Sequence, residues 1–263
     1  MPATALKHFT EDIGRARAIL THADPPPTGY PAERLLRSDL LRSAWMFAIG
    51  ALDAYFCDAY TDIVAATVSS KSRQDTINLK NTITLPEFVY DIKFPIRAIL
   101  EDYDKTNWRW RMAARKMMER ENVLRLSTIQ TLFNKFFRED RRFFGGVLDD
   151  WILHPDAKKR LFGITTKEYT SRTPKDQNAA RDAAKRKLED RFKDLFQRRH
   201  DCIHNCDRPR VSPQPLSTAG TVLKVIEDVE FLVNRCDDHI NAEFKFFLSN
   251  IGCIPPTIAA AGY

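Results

Sequence analysis

The sequence predicts an all-α fold, and three observations carry that reading. Glycine is scarce, 9 of 263 residues, while charged residues make up 29%, a balance that suits long solvent-facing helices. Apolar residues recur every three or four positions over three long stretches, about 32–68, 178–204 and 217–250. No sustained apolar–polar alternation marks a strand, and room for short strands exists only within about 69–170.

Taken in order, residues 5–21 read as a short amphipathic helix, which the prolines of "ADPPPTGYP" (23–31) stop. The first long helix, 32–68, carries a stripe of Leu41, Trp45, Ile49, Leu52, Phe56 and Ala59, wide enough to face a core. Residues 69–82 are rich in Ser, Asn and Thr and are expected to be loop. "TLPEFVYDI" opens a helix, with Pro86 suited to a first turn and Glu87 to the positive end of the helix dipole. Pro95 interrupts it, and 96–103, 107–121 and 124–138 read as further short helices. Residues 141–162 are aromatic-rich and broken by "FGG" and "HPD", and 163–178 is expected to be linker. The second long helix, 178–204, shows Leu188, Phe192, Leu195, Phe196 and Ile203 on its apolar side, and "NCDRPRVSPQP" ends it. The last long helix, 217–250, has a nearly unbroken stripe from Val222 to Leu248, and the tail "IPPTIAAAGY" is expected to be poorly ordered. The expected architecture is three long helices around one core, with a helical insertion of residues 70–177 between the first and second. No internal repeat is present.

The charge is +6 with a pI near 9.1, a modest lean toward anionic partners. The cations cluster. Residues 105–125 hold seven basic side chains against two acids, and residues 181–199 hold eight against four. Each cluster is either a solvated helix face or a polyanion-binding surface. Five scattered cysteines (Cys57, Cys202, Cys206, Cys236 and Cys253) are not a disulfide framework, and a reducing cytoplasm is the expected compartment. The longest apolar run, "AWMFAIGALDAYFCDAY", is broken by Asp53 and Asp58, so no membrane span is expected. The first twenty residues lack the apolar core of a signal peptide.

The chemistry concentrates in "RRHDCIHNCDRPR", residues 198–210. Arg199 shares the side of the helix that carries Leu195 and Ile203, an unusual place for a charge that is never shed. It either snorkels to solvent or points into a polar cleft. His200 and His204 are four apart and share a face. Arg199 and His204 are five apart, about 140° around a regular helix. They aim at one point only if the helix ends or distorts between them, or if two copies of the motif converge. His200, Cys202, His204 and Cys206 alternate as H-x-C-x-H-x-C, yet alternate helical residues point about 200° apart and cannot surround one ion. No metal site and no cofactor are therefore expected. A guanidinium that grips phosphate and an imidazole that moves protons suffice for RNA cleavage without a metal. Asp201 is expected in a local salt bridge, and Asn205 as the helix terminator.

"RRHDCIHN" resembles the R-x(4–6)-H signature of the HEPN domain superfamily, with Arg199, His200 and His204 matching its Arg, polar and His positions. The flavor is most similar to RiboL-PSP-type HEPN-like proteins. The motif's place at the end of the penultimate long helix is similar too, as is an early helix around 43–60 with an acid at Asp53. The resemblance covers roughly 32–68 and 180–250, and the insertion departs from it. It implies one HEPN-like helical bundle over residues 1–263. It also implies a metal-independent endoribonuclease, an RNA-cleaving toxin or antiphage-defense effector, with Arg199, His204 and His200 as catalytic residues. The implied partners are RNA, a second copy completing a composite active site in a homodimer, and an antitoxin or defense-system protein. Arg198, Arg208 and Arg210, with Arg109 and Arg111 from "NWRWRMAARKMMER", are the expected RNA contacts; Trp108 or Trp110, Met112 and Met117 would pack inside. The alternative is a noncatalytic helical module that binds RNA or protein.

Overall fold

The computed structural model describes residues 3–24, 29–77, 83–92, 116, 118, 123–205 and 218–261. Its elements are α1 (Ala3–Ala23), α2 (Pro31–Ile77), α3 (Glu87–Tyr90), α4 (Leu126–Phe133), α5 (Leu148–Leu153), α6 (Lys159–Phe162), α7 (Thr166–Thr170), α8 (Pro174–Asn205), α9 (Ala219–Asn250) and α10 (Pro255–Ala261). Two single 3₁₀ turns, Asn134–Phe136 and Glu139–Arg141, follow α4, and no strand occurs among the described residues. The fold is all-α.

The 47-residue α2 is the spine, about 70 Å long at the α-helical rise. Helix α1 packs along it through Phe9, Ile13, Ala16 and Leu20, spaced three or four apart and all buried. Helix α9 lies against both, and Arg17 of α1 forks onto Glu230 of α9. Helix α8 buries Ala180, Ala184, Leu188, Phe192 and Leu195, spaced three or four apart so that one side stays on the core. Thr218 caps α9 by accepting the Thr221 N–H.

Four expectations are corrected. The polar stretch after residue 68 continues α2 to Ile77, because Ser70 and Gln74, one turn apart, face the core while Ser72, Arg73 and Thr76 face solvent. Gln74, fully buried, accepts hydrogen bonds from the Ile254 N–H and the Thr257 hydroxyl. Those same bonds order the tail, whose residues 255–261 form α10 instead of fraying. Residues 163–178 are mostly helical. Thr165 and Glu168 form a reciprocal capping box that starts α7, and Pro174 begins α8. Ile203 is 43% exposed, while the neighboring Cys202 is the residue buried at this end of α8. By length and hydropathy alone, α2 contains an 18-residue window apolar enough for a membrane span. Half of that window is buried against the other helices.

The insertion completes the core. Phe133, Phe136, Phe143 and Trp151 interlock edge-on or tilted with one another and with Phe56 and Tyr60 of α2 and Phe244 of α9. The turn that feeds α5 holds Phe144 at φ 56° and cannot spare Gly146, whose added Cβ would meet the Asp140 carbonyl oxygen at 1.9 Å. Two ionic clasps tie this layer to α9. Arg160 and Arg191 both reach Asp228, whose side chain is fully buried, at 2.7 and 2.8 Å. Arg138 forks onto Glu243 at 2.6 and 3.0 Å.

Beside the second clasp, His239 sits 2.6 Å from the Arg141 carbonyl, so its Nε2 carries the proton. Burial holds the His239 ring below its ordinary pKa, against the Arg141 carbonyl and the Glu243 charge. Burial alone would raise Glu243, but the Arg138 hydrogen bonds and charge hold it below the carboxylate range. Both shifts have the same consequence. Below about pH 6.5 the unfolded chain takes up a proton at this histidine that the folded chain refuses, so stability falls with pH. Glu243 extends the loss at lower pH. The thermal midpoint is expected to hold between pH 8 and 7 and to decline below 6.5. A His239→Gln variant should flatten the decline between pH 6.5 and 5, and an unchanged slope would contradict the assignment.

Candidate functional site

A cavity of about 1040 Å³ lies where α8 passes the middle of α2 and the Leu124–Ser127 segment that leads into α4. Helix α8 supplies one wall. Glu189, Lys193, Phe196 and His200 fall four, three and four apart, which aligns them along one face. Arg199 enters from the flank of that face, and Asp53 comes from α2. The facing wall is Leu124, Arg125, Leu126 and Ser127.

Arg199 is half-buried and points into this polar cleft, the second of the two placements open to it from sequence. Burial pushes the half-buried Asp53 carboxyl above its ordinary range, and the Arg199 charge pulls it back. The two groups thus share one electrostatic environment. A permanent cation faces a carboxyl poised above its solution value, inside a cleft, the kind of perturbed pairing that collects at functional sites. His200 is exposed at the same cavity. Helical direction separates it from Cys202, which is buried, so these two neighbors do not share a site.

Helix α8 runs unbroken through residues 199–205. It neither ends nor changes type between Arg199 and His204. On a continuous helix the two positions stay about 140° apart, so one chain does not aim both at one point. The side chain of His204 lies outside the described residues, as do Arg208, Arg210, Arg109 and Arg111 and the rest of the 107–115 stretch. Arg198 is half-buried and is not among the cavity-lining residues. Asp201 accepts a hydrogen bond from the Gln197 amide at 3.0 Å, one helical turn back, where a salt bridge was expected. Asn205 is the last residue of α8.

Several lining residues were not singled out from sequence. Lys193, Gln197 and the Glu189–Asp190 pair share the helix face of His200, and a helical wheel drawn through His200 rather than Arg199 finds them; Phe196 was read only as a core residue. Arg125 and Ser127 carry no such signal, because only tertiary packing brings the insertion to α8. Comparison with protein-family models, curated proteins and solved structures returns no match to the chain.

Proposed function

We propose that the protein is a metal-independent endoribonuclease of HEPN type, active as a homodimer in which two α8 ends meet. The observation that carries this reading is the unbroken helix through positions 199 and 204: Arg199 lines a cleft, and a regular helix sets the two positions about 140° apart, so each chain offers half of a site. In the proposed reaction a base takes the proton of a ribose 2′-OH, and that oxygen attacks the adjacent phosphorus. The 5′-oxygen departs with a proton from an acid. The products carry a 2′,3′-cyclic phosphate and a 5′-hydroxyl. Arg199 neutralizes charge building on the phosphate, His204 transfers protons, and His200 orients the site. Arg198, Arg208, Arg210, Arg109 and Arg111 hold the strand by its phosphates. No metal or cofactor takes part. The biological setting proposed is a cytoplasmic toxin or antiphage-defense effector, restrained or triggered by a partner protein.

Purified protein is expected to cut single-stranded RNA in excess EDTA and leave 2′,3′-cyclic phosphate ends. Arg199→Ala with His204→Ala should lower the rate by roughly 10²–10⁴-fold or more. Full activity in that double variant would reject the proposal. Salt-sensitive RNA binding with no cleavage would favor a noncatalytic binding module instead.

A further inference from the structure

The cavity holds more than a cleavage site needs. A path for the sugar-phosphate backbone alone would be lined by cations, but Glu189 and Asp190 of α8 add two negative charges to this one. Along α8 the chemistry is zoned. From Glu189 to His200 is eleven residues, about 16 Å of helix. The acids stand at its N-terminal end, Lys193 between, and Arg199 with His200 at the other. Phe196, Leu124 and Leu126 place apolar surface in the same space. The volume, about 1040 Å³, is at the upper end of the range of small-molecule pockets. Few ligands present an anion, a flat apolar face and a hydrogen-bond-donating edge together. A nucleotide does.

The facing wall gives the insertion a part in this. Arg125 is exposed, with extended backbone at φ −147° and ψ 127°, just before α4. Helix α4 is itself anchored by the buried Leu126, Ile129 and Phe133, so Arg125 stands on a fixed support. A guanidinium there meets a phosphate across the cleft from Lys193. The acids have a complementary preference. An ionized carboxylate only accepts hydrogen bonds, so it favors a base edge that carries an amino group and disfavors one that presents a carbonyl oxygen. Glu189 has one loose ion pair, to Lys185 at 3.9 Å along the same helix, and lines the cavity nonetheless.

We propose that the space between α8 and Leu124–Ser127 is a nucleotide-recognition pocket beside the cleaved phosphate. Arg125 and Lys193 hold the phosphate of the bound unit, and Glu189 with Asp190 selects a base bearing an exocyclic amine. This rests on the ribonuclease reading above.

The test uses the full-length protein and short single-stranded oligonucleotides whose riboses are 2′-O-methylated. They lack the attacking hydroxyl, so binding is read without cleavage. Oligocytidylate is expected to bind at least about fivefold more tightly than oligouridylate, the preference an amino-selecting carboxylate pair imposes. Glu189→Gln with Asp190→Asn should erase that difference, since amides both donate and accept. Arg125→Ala should weaken both ligands about tenfold and flatten the slope of log affinity against log salt by about 0.7, one phosphate contact. Equal affinity for the two oligonucleotides, or an Arg125→Ala protein indistinguishable from the parent, would overturn the pocket. The two readings fail separately. Unmodified RNA left intact while the cytidine preference persists removes the nuclease and keeps the pocket. Cleavage with no base preference and no effect of Arg125→Ala does the reverse.

Discussion

Mixing an Arg199→Ala protein with a His204→Ala protein should restore ribonuclease activity that neither has alone. The expectation follows from the geometry of α8. The helix is continuous across both positions, so they lie about 140° apart around it. If Arg199 of one chain works with His204 of its partner, each homodimer carries two such sites. A dimer of two Arg199→Ala chains has no complete site, and neither does a dimer of two His204→Ala chains. A mixed dimer keeps one complete site and one doubly damaged site. Random exchange makes half of the dimers mixed, so activity should recover to about a quarter of the parent level for a twofold-symmetric assembly. The measurement is the initial rate of RNA cleavage after the subunits have exchanged. Recovery identifies a site shared between chains. Two active preparations before mixing, or no recovery once exchange is verified by a tagged pair, would exclude it.

Removing the carboxylate of Asp228 should cost about 3–5 kcal/mol of stability, the range for breaking a buried charge pair. Asp228 is wholly enclosed, and burial pushes its carboxyl up while Arg191 and then Arg160 pull it back. Its two partners come from different layers, Arg160 from α6 and Arg191 from α8, and Arg160 also reaches Glu227 at 2.6 Å. Asp228→Ala leaves two guanidinium groups facing an apolar gap. Their side chains are 28% and 26% exposed, so water relieves part of the loss and the lower end of the range is expected. For a chain of this size that is a fall of roughly 6–12 °C in thermal midpoint. Urea denaturation gives the same quantity independently. Adding Arg191→Ala to Asp228→Ala should cost less than the sum of the single losses, because the second change removes a charge already stranded. An Asp228→Ala protein with the parent midpoint would show that the clasp contributes nothing.

What was legible in the sequence was the class of fold and its long helices, because periodic apolar burial is a local signal. The stripe of α9 needed nothing from elsewhere to be seen. Composition misled where polar residues are buried by partners far along the chain. Gln74 looks like loop material until Ile254 and Thr257 are found against it. The start of α7 was available, since Thr165 and Glu168 have capping-box spacing, but the surrounding Thr, Ser and Lys content outweighed it. Arg199 stood out in sequence as a charge beside an apolar stripe, and it does enter a cleft. Its neighbor Asp53 was noted as an acid on the early helix, without a role at the site. Arg125 was counted in the basic cluster of 105–125, but its place opposite α8 was hidden, for no spacing in a linear chain shows that an insertion folds back onto α8.

The pairing of α2 with α9 also sets a schedule for synthesis. Helix α2 is complete at Ile77, but the rings that pack on Phe56 and Tyr60 arrive with Phe133 and Phe136, α9 follows, and α10 closes on Gln74 later still. At ordinary translation speeds the ribosome needs roughly 9–35 seconds to travel from the end of α2 to the end of α9. Through that interval the nascent chain carries an apolar spine that α1 and then the insertion cover only in part. Its vulnerability to aggregation is therefore greatest before release, and a chaperone that binds emerging helices would act on this protein during elongation rather than after it.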